Sequence, residues 1–401
     1  MKILTITASD NSIGGASRVA MDIHRGLLER GHESVVFSGK SEISSDNPMV
    51  KQIERPLWSK ALSWLLSNDV DFFQTDYLLQ TPEFLAADLI HCHNLHGWYF
   101  SLKTLKKMSQ IKPVLWTLHD MWAITPHSAH TSSDVIKNGI YQISDKRLYP
   151  TTIWNNDYYL SWRKSSLYKE MNISLASPSH WLLGKLRTSS LSPKEAFHVP
   201  NGIDFNKFKI GPKADLRKKF KFSHAPLILF IGANAETNYY KGYEDFCWLA
   251  ASDLGLGFQY VCLGSKNDGF RMGIHHLKAS SDKAYLAEIL SCADVLVCTS
   301  KYENFPLVIL EAMACGTSVL TYDIGGCSEA IVDAPNCVSI MPGNRKLLIE
   351  SLHNIISEAR IRGDGLRNEL RNYAQERFSL GKMIDKYIDV YQAILSKRRV
   401  S

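Results

Sequence analysis

Residues 298–323 read CTSKYENFPLVILEAMACGTSVLTYD, and the order of signals in this stretch decides the fold. The apolar run ADVLVCTS (293–300) ends near Ser300, and a turn carries Glu303 and Asn304. Pro306 stands at a first helical position, where its missing N–H would be an orphan anyway. A helix to about Ala314 follows, Gly316 stops it, and GTSVLTYD (316–323) reads as the next strand. Strand, helix and strand at this spacing form the repeating unit of a parallel sheet covered on both faces.

The same unit recurs on both sides. Upstream lie PLILFIGA (226–233) and GFQYVCLG (257–264), with helices between. The first half repeats the theme with KILTIT (2–7), a helix near Ser17–Arg30, SVVF (34–37), ADLIHCH (87–93), KPVLWTLH (112–119), ISLASPS (173–179) and AFHVPNG (196–202). Between the two series, NGIDFNKFKIGPKADLRKKF has Gly, Pro and charge but little apolar period, as a domain connection does. Met383, Ile384, Tyr387, Ile388, Tyr391, Ile394 and Leu395 recur at helical spacing, so a terminal helix must bury its stripe somewhere. The expectation is an α/β protein of two Rossmann-like, doubly wound parallel-sheet domains. One spans 1–203 with a returning helix at 380–401, and the other 204–379. Residues 120–160 show no sustained period and are long for a connecting loop.

The 401 residues allow two or three domains at roughly 100–200 each. Apolar residues are 45% and charged residues 21%, which sets disorder and fibrous repeats aside. The net charge of +6 is even: 21 basic against 18 acidic residues up to residue 200, and 25 against 22 beyond it. That suits anionic small molecules or an anionic membrane surface and is too weak for a nucleic-acid binder. The eight cysteines include no C-x-x-C and read as small core residues in a reducing compartment. No apolar run approaches the ~18 residues of a membrane span, and the N-terminal apolar stretch is short for a signal peptide. The expected location is cytoplasmic.

The chemistry concentrates at the helix start. Backbone N–H groups at the carboxyl edge of a parallel strand, with the positive end of the dipole, favour a diphosphate, so the amides of Leu307 and Val308 are candidate donors. Glu303 and Glu311 stand eight residues apart, on the order of 12 Å along a helix. A carboxylate beside phosphate would repel it, so each glutamate is assigned to hydroxyls, one on a ribose and one on a hexose. Ile324-Gly325-Gly326 and Glu329 fit the same crevice.

These motifs together resemble the retaining family-4 glycosyltransferases of the GT-B type, whose two domains face a central cleft. The resemblance rests on E-x7-E followed by AMACGTSV, on Gly14-Gly15, HCHN (91–94), TLHD (117–120), SPS (177–179), PNGID (200–204) and Lys241-Gly242. TLHDMW is similar in particular to transferases of colanic acid and other exopolysaccharides. The resemblance implies a nucleotide diphosphate sugar as donor and a lipid-linked oligosaccharide as acceptor. It also implies retained configuration, no metal, no further cofactor, and peripheral contact with the cytoplasmic face of the inner membrane. Glu311 would bind the ribose; Glu303 with the backbone of Phe305, Pro306 and Leu307 the sugar; Lys241 the diphosphate; and Gly232, Asn304 and Val308 would also line the donor site. His119 would reach hydroxyls of the donor sugar, with Gly14, Gly15, His93 and Asp120 along the cleft. Domain closure would exclude water. One departure stands out: Gly232-Ala233-Asn234-Ala235 lacks the Arg that relatives place after the glycine, leaving Arg271 or Lys266 to substitute.

Three other readings compete. His91, His93 and His119 could serve a metal-dependent hydrolase, since H-x-H at a strand end is a metal-ligand pattern, but no acidic bridging ligand is placed with them. The missing Arg fits a catalytically degenerate sugar-nucleotide-binding partner of another transferase. An epimerase would need no acceptor. Asp69-Val70-Asp71 reads as a turn and helix start rather than a metal site. Trp58, Leu62, Trp64, Leu65 and Leu66 read as a helix packed into the core in preference to a membrane-docking face.

Overall fold

The computed structural model describes residues 1–10, 15–41, 48–143, 152–191, 193, 195–252 and 257–398. The chain divides into two compact units, Met1–Pro200 with Met383–Ser401, and Asn201–Lys382.

In the first unit the strands β1 (Lys2–Ser9), β2 (Glu33–Lys40), β3 (Val50–Gln52), β4 (Leu89–Cys92), β5 (Val114–Thr117), β8 (Ser174–Ser177) and β9 (Ala196–His198) form one sheet in the order β3-β2-β1-β4-β5-β8-β9, every pair parallel. β6 (Ile136–Lys137) and β7 (Ile140–Tyr141) make a separate two-residue hairpin. Strands such as β4 and β5 are buried throughout, as continuous apolar runs covered on both faces must be. The helix Leu380–Arg398 turns Met383, Ile384, Tyr387, Val390, Tyr391 and Ile394 inward. Its stripe completes the first unit.

The second unit repeats the plan. Strands β10 (Leu227–Ile231), β11 (Gln259–Ser265), β12 (Gly269–Arg271), β13 (Ile274–Lys278), β14 (Val295–Cys298), β15 (Ser318–Tyr322) and β16 (Val338–Ile340) run in the order β12-β13-β11-β10-β14-β15-β16. Only β12 is antiparallel to its neighbour. The helix Leu307–Ala314 follows β14, with Pro306 one position earlier than expected, as its N-cap.

Two expectations are corrected here. The helix Leu57–Leu65 turns Ser59 and Ser63 inward and leaves Leu57, Trp58, Leu62, Trp64 and Leu65 exposed, Leu57 by 85% and Trp64 by 58%. Its apolar stripe therefore does not pack in the core. The short residues face the body of the unit. At Asp69-Val70-Asp71 there is a turn, as read, but no helix begins there. Asp69 accepts the Trp122 indole N–H at 2.6 Å, and Asp71 accepts Arg163 Nε at 2.8 Å and the Tyr159 hydroxyl at 2.8 Å. The aperiodic stretch after residue 120 is also largely core: Met121, Trp122, Ala123 and Ile124 are buried.

Candidate active site

In the second unit the carboxyl end of β14 gathers the residues singled out by the sequence. Lys241 closes a single helical turn, Tyr239–Lys241, and its ammonium pairs with Glu303 Oε1. Ser300 donates to the same oxygen at 3.2 Å. Burial opposes the charge on Lys241, but the Glu303 carboxylate outweighs it and the ammonium is held above its ordinary value. The lysine is therefore a fixed cation.

The loops around this pair are tied to the sheet. Gly242 has φ of 65°, and a Cβ there would collide with the Thr299 carbonyl. Thr299 Oγ1 donates to the Gly242 carbonyl at 2.9 Å and Lys301 N to the Tyr240 carbonyl at 2.8 Å. On the other side Gly325, φ 60°, lies against the Glu303 carbonyl, Gly326 N donates to the Asn304 carbonyl at 2.7 Å, and Asn201 Nδ2 donates to the Phe305 carbonyl at 2.9 Å. The 303–306 turn is thus clamped from both flanks. Pro306 supplies no side-chain cap, so the amides of Leu307 and Val308 open the helix without a side-chain acceptor. Glu311, one turn on, is 3% exposed, a burial rare for a carboxylate.

Gly232 lies just beyond β10 with its Cα facing the Lys241 side chain. Of the two bases proposed to replace the absent arginine, Arg271 is on the edge strand β12 and donates to Glu236 at 2.7 Å, and Lys266 is exposed. Sequence reasoning missed Cys298 and Cys327. Both are buried, and Cys298 Sγ lies 3.6 Å from Ser300 Oγ; its neighbour Cys327, together with the Lys241 ammonium, holds the Cys298 thiol below its ordinary value against burial. No spacing rule links residues 29 apart across two loops, so only the fold reveals them.

The first unit's carboxyl edge is built from imidazoles. His91 is fully buried: its Nδ1 meets the Tyr391 hydroxyl at 2.7 Å and its Nε2 the Thr117 hydroxyl at 2.8 Å. His93, also fully buried, meets His119 Nε2 through Nδ1 at 2.9 Å. His93, expected along a cleft, therefore stands behind His119, which is half-buried. Burial pushes His91 down to about 3 and His119 to about 4, and His93 well below its ordinary value, so all three are neutral near pH 7. Asp120 shapes the turn, accepting Trp122 N at 2.9 Å and pairing with His96 Nε2 at 2.8 Å. Burial opposes its charge, but His96 outweighs burial and holds the carboxyl down at about 2. Gly15 is the first residue of the helix Gly15–Glu29, and Gly14 lies outside the described residues. The metal-ligand reading meets a different geometry: His91 spends both nitrogens on hydroxyls, and His93 and His119 bond each other. Among the described residues no group of three or more His, Cys, Asp or Glu side chains is placed to hold an ion.

Comparison with known proteins identifies the family. The Glycosyltransferase Family 4 profile matches residues 13–207, and the Glycosyl transferases group 1 profile matches residues 255–377. The chain belongs to these glycosyltransferases. Among curated relatives, this glycosyltransferase is 25% identical over 410 residues to WcaC of Escherichia coli K12, spanning 94% of this chain and 96% of that one. The assignment of WcaC to colanic acid biosynthesis is itself provisional. It is 27% identical over 189 residues, 44% of this chain and 47% of the relative, to the N,N'-diacetylbacillosaminyl-diphospho-undecaprenol alpha-1,3-N-acetylgalactosaminyltransferase of Campylobacter jejuni. Among solved structures it matches Anabaena HepE in complex with UDP-glucose, with a TM-score of 0.68 at 16% identity, covering 98% of this chain and 99% of that one. The glycosyltransferase thus has the two-domain GT-B fold of its structural neighbours.

Proposed function

We propose that this glycosyltransferase moves a sugar from a nucleotide diphosphate sugar to a hydroxyl of a lipid-linked intermediate of a bacterial surface polysaccharide, with retained configuration and without a metal. The carrying observation is the Lys241–Glu303 pair beside the uncapped start of the helix Leu307–Ala314. Cation and helix amides are matched to a diphosphate, and the two glutamates to hydroxyls. Glu311 takes the ribose, Glu303 and the 304–308 segment the sugar, and His119 a sugar hydroxyl. The bond from the anomeric carbon to the diphosphate oxygen breaks as the acceptor oxygen bonds to the same face of that carbon. The acceptor's proton passes to the departing diphosphate. Lys241 and the helix start stabilise the charge that develops there.

The undecaprenol-linked substrate named for the Campylobacter relative supports the acceptor class, and the UDP-glucose complex of HepE the donor class. Contact with the cytoplasmic face of a membrane is supported by the exposed Leu57, Trp58, Trp64 and Leu65. The neighbouring Trp154, whose indole N–H donates to the Leu65 carbonyl at 3.0 Å, extends that surface with Ile153, Tyr158 and Trp162. No helix among the described residues is long and apolar enough to cross a membrane.

Differential scanning against UDP-, GDP-, ADP- and dTDP-sugars tests the reading, since a bound donor raises the melting temperature by mass action. One nucleotide class is expected to raise it, and Glu311→Ala to erase that shift and abolish transfer. No shift with any donor, or unchanged turnover in the variant, would overturn the proposal. An anomeric assignment of the product by NMR and turnover in excess EDTA decide retention and metal independence.

A further inference from the structure

The buried face of the histidine edge constrains its accessible face. His93 is fully buried, its main chain is pinned by His93 N donating to the Ile6 carbonyl at 2.9 Å, and its carbonyl accepts the Trp116 indole N–H at 2.9 Å. Its Nδ1 meets His119 Nε2, whereas its Nε2 is buried with no hydrogen-bond partner. The neighbouring ring does not relieve it. His91 lies 4.2 Å away between ring centroids, but Tyr391 and Thr117 occupy both of its nitrogens.

A neutral imidazole carries one N–H. If His93 carried it on Nε2, that donor would be orphaned in the core; if it carries it on Nδ1, the orphan is a bare lone pair. Buried unpaired N–H groups are the rarer of the two in folded proteins. The proton therefore belongs on His93 Nδ1, which donates to His119 Nε2. His119 Nε2 is then an acceptor, and its own hydrogen must sit on Nδ1, the reverse of the tautomer that a solvated histidine favours. Asp120, the nearest carboxylate along the chain, does not compete, because it is committed to His96 and the Trp122 amide.

We propose that His93 is a positioning residue that fixes His119 from behind as its Nδ1–H tautomer, so that His119 meets its ligand as a hydrogen-bond donor and selects a sugar hydroxyl oxygen that accepts. This deepens, and in its ligand rests on, the reading of His119 as a contact to the donor sugar. The tautomer itself is a property of the ligand-free protein.

Long-range nitrogen–proton correlation spectra of the full chain, uniformly labelled with 15N-histidine, read the tautomer of each ring directly at pH 7.5. His119, assigned by its loss in His119→Gln, is expected as a single Nδ1–H form, and His93, assigned through His93→Asn, likewise. His93→Leu removes the donor and is expected to shift the His119 tautomer ratio at least tenfold toward Nε2–H. His93→Asn, whose amide N–H replaces the Nδ1 donor, is expected to restore the Nδ1–H form. An Nε2–H form of His119 in the unaltered protein would overturn the proposal, whether or not either His93 variant folds. So would a His119 ratio unmoved in a folded His93→Leu. A failure of every nucleotide sugar to bind would instead strike the functional reading and leave the measured tautomer standing.

Discussion

β4 and β14 occupy the same place in their sheets, each beside the first strand of its unit, yet they end in opposite chemistry. Beyond β14 stand a cation and a carboxylate, Lys241 and Glu303, partly open to solvent. At the end of β4 stand three imidazoles kept neutral by burial, His91 within the strand, His93 just past it and His119 from the loop after β5. One parallel-sheet plan therefore yields an edge suited to stabilising developing charge and an edge suited to directional hydrogen bonds to uncharged groups. What differs is not the topology but which residues the loops return to the strand end.

The sharpest way to break this contrast is to neutralise the charged edge. Lys241→Met should lower transfer by about 10²–10³-fold at saturating donor, in line with removal of one fixed electrostatic donor; steady-state rates with the donor found by scanning would show it. Gly242→Ala should cost about 1–3 kcal/mol, because the residue must keep a left-handed φ with the Thr299 carbonyl in the way. Urea unfolding would read that loss.

Acidification should separate the two units. His91 and His119 have folded values near 3 and 4 against an ordinary 6.5, so the unfolded chain takes up protons first. Their contribution to stability is complete above about pH 6.5 and is lost as pH falls toward 4 and 3. Lys241 is raised instead, so its contribution is complete below its ordinary value of 10.5 and fades only as pH rises through the folded one. Hydrogen exchange resolved by unit should show the first unit loosening first between pH 6.5 and 4. The smallest expected effect is on stability at the exposed helix: Trp58→Ser with Trp64→Ser should change unfolding by no more than about 0.5 kcal/mol each while reducing sedimentation with anionic vesicles.

The Glu303 half of the charged edge was legible in the sequence because its signals are local: strand, Glu-Asn-Phe-Pro turn, helix and Gly stop fall within one unbroken stretch, whereas Lys241, 62 residues upstream, was reached only through the family resemblance. The histidine edge was legible only in part. The alternation in HCH placed His91 and His93 on one face, but the hydroxyl that occupies His91 belongs to Tyr391, 300 residues away. The helix Leu57–Leu65 was misread for a different reason. Its apolar period is real, yet periodicity fixes that two faces exist and not which one turns inward; there the serines do. Cys298 with Cys327, and Asp69 with Trp122, are likewise pairings that no spacing announces.

The helix Leu380–Arg398 belongs to the first unit but follows the whole of the second in the chain. During synthesis, Tyr387 and Tyr391 emerge from the ribosome only after Asn201–Lys382 has been made. The amino-terminal sheet then waits with His91 lacking its hydroxyl partner and an uncovered apolar face, while the later unit is already free to collapse. Order of translation and order of completion are thus reversed, and a released chain ending at Lys382 should hold a finished second unit and an unfinished first.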